Sequence, residues 1–223
     1  MTIEVEVKSL LGTKEKADIF RTQLLASGEA KLVYKGKSIN HYFLNPKDFS
    51  VWYEKLSGWL KPERLTELKS MIEKASDISV RTRETETDVI LVVKIAIDKT
   101  TSSNGISRLE FEEKTKMTLS ELDQQLLDAD FSYQAKWSRV REEYKYQDFS
   151  VCLDCNAGYG YLVEFELSWN DQAQASDAKN KILAEMQKFE LQELDQARLA
   201  RMFDYYNKHW TEYYGTDKVF SIE

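Results

Sequence analysis

Apolar residues recur along the chain with two different periods. From Thr13 to Ser27 the pattern puts Ala17, Phe20 and Leu24 on one face and meets Gly28, which predicts a helix with a glycine just past its end. Pro62 predicts the first turn of a second helix striped by Leu65, Leu68 and Ile72. Thr118-Leu119-Ser120-Glu121 has the spacing of a capping box and opens a third, carrying Leu122, Leu126 and Ala129. A helical region follows Ser176, with Ile182, Met186 and Phe189 on one face. It breaks near Glu190 to Gln192 and resumes through Leu194, Ala197, Arg201 and Tyr205 towards Gly215.

Between these helices the period falls to two, and six segments share one property. Glu4, Glu6 and Lys8 lie on one face of the first strand. Arg81 and Arg83 share a face, and Lys94 ends the run Ile90 to Lys94. Arg108, Glu110, Glu112 and Lys114 form another set, Arg139 and Arg141 another, and Glu164 and Glu166 the last. The opposite faces are apolar: Ile3, Val5 and Val7; Leu109 and Phe111; Val163, Phe165 and Leu167. One such strand is a sheet with its charged face in water. Six in phase, with Glu-x-Glu three times and Arg-x-Arg twice, predict an α+β fold. Its antiparallel β-barrel closes with the charges inward, and the amphipathic helices cover the apolar outside. Buried charges must pair with one another or with ligands, so a lumen of both signs suits a polyanion bound together with a divalent metal.

Composition narrows the partners. The 223 residues include 42% hydrophobic and 31% charged residues with 8 Gly and 2 Pro, an ordinary globular balance that allows a sizeable core. The longest apolar run, Val89 to Val93, is far short of the roughly 18 residues of a membrane span, and the amino terminus has no stretch suited to a signal peptide. A cytoplasmic protein is expected. A net charge of −7 disfavours nonspecific attachment to nucleic acid or acidic membrane, so any bound anion must meet a local basic pocket. Cys152 and Cys155 fall on opposite faces of a strand, which suits neither a redox pair nor structural zinc. His41 and His209 have no spaced partner and read as surface or packing residues. The aromatic run Phe203, Tyr205, Tyr206, Trp210, Tyr213 and Tyr214 reads as a helix packed over the barrel, with a homodimer contact or a lid over the lumen as the lesser alternatives.

Ile3-Glu4-Val5-Glu6-Val7-Lys8 resembles the ExExK signature of the CYTH superfamily, the triphosphate tunnel metalloenzymes. That superfamily includes class IV adenylyl cyclases, thiamine triphosphatases and inorganic triphosphatases. The order of the following segments strengthens the resemblance: Arg81-Thr82-Arg83, Val92-Val93-Lys94, Arg108 to Glu112, Ser138 to Arg141, Leu153-Asp154 and Gly160 to Glu166. It covers roughly residues 1 to 170 and implies a single tunnel domain over 1–223, with residues 176–215 as carboxy-terminal helices. Arg139 stands where the family more often has lysine, Leu44 where it often has Asp, and residues 45 to 79 form a longer connection than usual.

The resemblance implies that Glu4, Glu6, Glu164 and Glu166, with Asp154 nearby, hold Mg²⁺ or Mn²⁺, for which carboxylate oxygens are suitable hard ligands. It implies that Lys8, Arg81, Arg83, Lys94, Arg139 and Arg141 hold the phosphates, and that Glu110 and Glu112 orient those bases or take a second metal. Tyr42 and Lys94 match positions that order the attacking water in hydrolytic members; otherwise Tyr42 is a wall aromatic and Lys94 a phosphate clamp. Three activities stay open. The first is hydrolysis of inorganic or organic triphosphate. The second is cyclisation of ATP to cyclic AMP and pyrophosphate, for which residues 45 to 79 would form the nucleoside wall. The third is noncatalytic binding of polyphosphate or nucleotide.

Overall fold

The computed structural model describes residues 3–96, 108–169 and 175–223; the side chains of Ile3, Glu4, Arg108, Trp169, Ala175 and Ser176 fall outside that description. The strands are β1 (Ile3–Gly12), β2 (Ala30–Leu44), β3 (Asp77–Glu84), β4 (Val89–Ala96), β5 (Arg108–Thr115), β6 (Ser132–Tyr146), β7 (Phe149–Asn156) and β8 (Gly160–Trp169). The helices are α1 (Lys14–Ala26), α2 (Ser50–Ser57), α3 (Pro62–Glu73), α4 (Leu119–Leu127), α5 (Ala175–Gln187) and α6 (Gln196–Tyr213). The chain is therefore α+β with antiparallel strand pairing, as the two periodicities predict. It divides into two compact units. Among the described residues unit one holds 3–38, 137–169 and 175–223, and unit two holds 39–96 and 108–136.

Helix boundaries follow local chemistry. The Thr13 hydroxyl accepts from the Lys16 N–H at the start of α1, and Gly28 takes φ +74° beyond its end. Pro62 occupies the first turn of α3. Thr118 and Glu121 form the reciprocal capping box of α4, and Asp195 caps α6 through the Arg198 N–H. The break between α5 and α6 includes Glu190 at φ +56°. Helix α2 was not expected: it is eight residues long, Phe49 at its N-cap makes no side-chain cap, and only Trp52 and Leu56 mark its buried stripe.

In unit one, β6, β7, β8 and β1 pair in that order. Val5, Val7, Val151, Leu153, Val163 and Phe165 on one face are covered by α1 and α5 through Phe20, Leu24, Ile182 and Met186. In unit two, β2, β3, β4 and β5 pair in that order. Phe43, Val80, Leu91, Val93, Ile95 and Phe111 pack on Trp52, Leu56, Leu68, Leu122 and Leu126 from α2, α3 and α4. Each fully buried large aliphatic or aromatic side chain here contributes on the order of 1.5–3 kcal/mol, so these apolar faces anchor the sheets and fix which residues the other faces present. Within residues 45 to 79, helices α2 and α3 lie against the apolar face of unit two, where Trp52, Leu56 and Leu68 are buried. Among the described residues no helix is long and apolar enough to cross a membrane.

Candidate functional site

Each unit turns a charged sheet face away from its apolar core, and the two faces differ in sign. In unit one the register sets Glu6 opposite Glu166, Lys8 opposite Glu164, Glu164 in turn opposite Cys152, and Arg141 opposite Asp154. Glu4 lies opposite Ser168 in the register of β1 with β8. Lys8 Nζ lies 2.6 Å from both Glu6 and Glu164. Arg141 makes two bonds to Asp154, at 2.8 and 2.7 Å, and a third to Glu164 at 2.8 Å. Arg139 donates to Asp154 at 3.2 Å and to the Ser38 hydroxyl at 3.1 Å.

The electrostatics follow from this pairing. Burial alone would raise the Glu164 carboxyl, but Lys8 and Arg141 hold it well below the usual range. Burial would likewise lower Lys8, and Glu164 and Glu6 outweigh it so that the ammonium is strengthened. Cys152, on the same face, is pushed up to about 12 by burial and stays a thiol.

Unit two presents the basic face. Tyr42 lies opposite Arg81, and Asn40 opposite Arg83. The next pairings set Arg81 opposite Val92, Val92 opposite Glu112, and Lys94 opposite Glu110. Arg83 donates to Asn40 at 3.0 Å and to Glu112 at 2.8 Å, while Lys94 pairs with Glu110 at 3.0 Å. Burial would raise the Glu110 carboxyl, but Lys94, then Arg81 and Arg83, lower it. Arg81 is the exception. It is 8% exposed, donates to the Tyr42 hydroxyl at 3.0 Å with its guanidinium 4.7 Å above that ring, and has no carboxylate partner among the described residues. Its Nε is buried without a hydrogen-bond partner. A buried orphan donor on a guanidinium is costly, which makes this atom a ready anion contact.

The carboxylates supply the chemistry a hard divalent cation needs, and two of them, Glu6 and Glu166, stand directly opposite each other. Among the described residues, no three His, Cys, Asp or Glu side chains are gathered closely enough to hold an ion as they stand. The Glu6 and Glu164 oxygens are turned instead to Lys8, and those of Glu164 and Asp154 to Arg141.

Several contributors were not read from the sequence. Ser38 and Asn40 share the face of Tyr42, a Ser-x-Asn-x-Tyr alternation on β2 whose uncharged members drew no notice. His41 and His209 both have acidic partners, Asp123 at 2.6 Å and Glu212 at 2.9 Å. His41 is nonetheless buried, as a packing residue would be. Tyr206 stacks on Trp137 at 3.7 Å between ring centroids, and Trp137 precedes Arg139 by two residues on β6, on the charged side.

The family model described as the CYTH domain matches residues 68–200. No curated protein matches the chain. Among solved structures, a conserved hypothetical protein from Pyrococcus furiosus is similar at TM-score 0.61 and 19% identity, over 85% of this chain and 92% of that one. A Pyrococcus horikoshii protein gives 0.61 and 19%, over 86% and 93%. A proposed adenylate cyclase from Vibrio parahaemolyticus gives 0.56 and 14%, over 85% and 89%. At these identities the likeness is one of fold.

Proposed function

The chain belongs to the CYTH domain family, and from that premise we propose that it is a divalent-metal-dependent enzyme that hydrolyses the terminal phosphate of inorganic triphosphate or of an organic triphosphate. In this reading the acidic sheet face of unit one supplies the metal ligands and the basic sheet face of unit two the main phosphate ligands. The observation that carries it is Arg81, a buried guanidinium with an unpartnered Nε beside Arg83 and Lys94 on one sheet face. Such a donor is satisfied by a phosphate oxygen, which a guanidinium can take two at a time.

The residues divide the work. Arg81, Arg83 and Lys94, with Lys8, Arg139 and Arg141, bind and orient the phosphate chain, so that the terminal phosphorus is held in line with a water. Tyr42 and Lys94 order that water: the phenol is already fixed by Arg81, and the ammonium by Glu110. Glu6, Glu164 and Glu166, with Glu4 and Asp154, would hold Mg²⁺ or Mn²⁺, which when bound neutralises charge on the phosphate oxygens. Glu110 and Glu112 keep the bases in place. The water oxygen bonds to the terminal phosphorus, the bond to the bridging oxygen breaks, and the water proton leaves to solvent. The products are orthophosphate and, from inorganic triphosphate, pyrophosphate.

Product analysis with inorganic triphosphate, ATP and thiamine triphosphate, each with Mg²⁺ and with Mn²⁺, tests the reading. Release of orthophosphate is expected. Cyclic AMP and pyrophosphate as the main products from ATP, with inorganic triphosphate acting only as an inhibitor, would replace hydrolysis by cyclisation.

A further inference from the structure

Behind the basic face of unit two, on α4, one buried carboxylate gathers three polar partners. Asp123 lies 2.6 Å from His41 Nδ1, accepts from the Thr82 hydroxyl at 2.6 Å and accepts from the Tyr133 hydroxyl at 2.7 Å. These partners come from β2, β3 and β6, and Asp123, Thr82 and His41 are each at most 5% exposed. Burial would raise this carboxyl, but the bonds from His41, Thr82 and Tyr133 lower it, so it is an ionised acceptor whose donors must converge.

The register gives the cluster its reach. His41 and Thr82 are directly opposite each other on β2 and β3, and so are the next residues along, Tyr42 and Arg81. Successive side chains of a strand point to opposite faces. A carboxylate that grips His41 and Thr82 from behind therefore fixes the backbone that aims Tyr42 and Arg81 forward. We propose that Asp123 is a positioning residue: through His41 and Thr82 it sets the angle at which the Tyr42 hydroxyl, held by Arg81, meets the triphosphate. This rests on the function proposed above.

A double-mutant cycle in the full chain tests it, with inorganic triphosphate and Mg²⁺. Asp123→Asn keeps the shape but puts an amide N–H₂ where one of the three donors needs an acceptor. Its kcat should fall on the order of 10-fold, since small displacements of positioning groups cost that much, while KM changes by less than about 3-fold. In a Tyr42→Phe background the same substitution should cost almost nothing further, because the hydroxyl it positions is gone. Thr82→Val, which swaps the hydroxyl for a methyl group, should show the same pattern more weakly and replaces Asp123→Asn if that variant does not fold. Equal losses in both backgrounds, or a raised KM at constant kcat, would reduce Asp123 to a structural role and overturn the inference. Wild-type protein that neither binds nor turns over inorganic triphosphate would overturn the function itself, and the positioning role with it.

Discussion

Glu6 on β1 and Glu166 on β8 stand directly opposite each other, two like charges in one antiparallel register. Opposed like charges destabilise a strand pair by roughly 0.2–1 kcal/mol. Lys8 reaches Glu6 at 2.6 Å and relieves part of the repulsion. A cation bound by both carboxylates would relieve it further. Glu166→Gln should therefore raise the melting temperature of metal-free protein by about 2 °C while abolishing the rise that Mn²⁺ gives the wild type. Thermal melts with and without Mn²⁺ check this, and a variant that still gains stability from Mn²⁺ would remove Glu166 from the metal set.

Arg81 should dominate phosphate binding. Hydrogen bonds to charged groups are worth about 1.5–3 kcal/mol, so Arg81→Ala should weaken binding of inorganic triphosphate by 10-fold or more, on the order of that energy. Arg81→Lys should recover only part of the loss, because an ammonium lacks the fork that reaches the Tyr42 hydroxyl and an oxygen together. Isothermal titration of the three proteins decides it; equal affinities would place the substrate elsewhere.

Tyr42→Phe isolates one hydroxyl. It removes the acceptor of the Arg81 bond and leaves the ring beneath the guanidinium. A fall of about 10-fold or more in kcat with little change in KM is the signature of an interaction made mainly in the transition state. Steady-state kinetics with inorganic triphosphate show it directly, and a rise in KM alone would make Tyr42 a wall aromatic.

Acid should unfold the protein in a predictable window. Burial would raise the Glu142 carboxyl, but bonds from Arg21 at 2.6 Å, Lys35 and Tyr144 hold it at about 2 in the fold against 4.5 ordinarily. A lowered carboxyl contributes stability above its unfolded pKa, and this is lost as pH falls from about 4.5 towards about 2. Glu142→Gln should flatten that part of the stability–pH curve. Melting temperatures between pH 6 and pH 2 measure the slope, and an unchanged slope would mean that other carboxylates set it.

Period-two charge made most of the candidate site legible before any fold was known. Glu6, Arg81, Arg83, Lys94, Glu110, Arg139, Arg141, Glu164 and Glu166 announce their strand faces by alternation, and the registers place them as that alternation requires. Asp123 left no such trace. It sits on α4 among Leu122 and Leu126, where one acidic residue reads as the polar edge of an amphipathic helix, and only packing against His41 and Thr82 reveals its partners. Strand β4 hid its two-sidedness in the same way. Ile90 and Val92 share the face of Lys94 and are buried there, although period alone makes that face polar.

That valine has an electrostatic consequence. Val92 stands in the register between Arg81 on β3 and Glu112 on β5. A carboxylate there would be Arg81's nearest cross-strand neighbour and would quench it. A branched hydrocarbon acts instead as an insulator, leaving the guanidinium one cross-strand position short of an internal counter-ion, so its charge is left over for an anion from outside. The affinity of this face is thus set in part by a side chain that offers the visitor no polar atom at all.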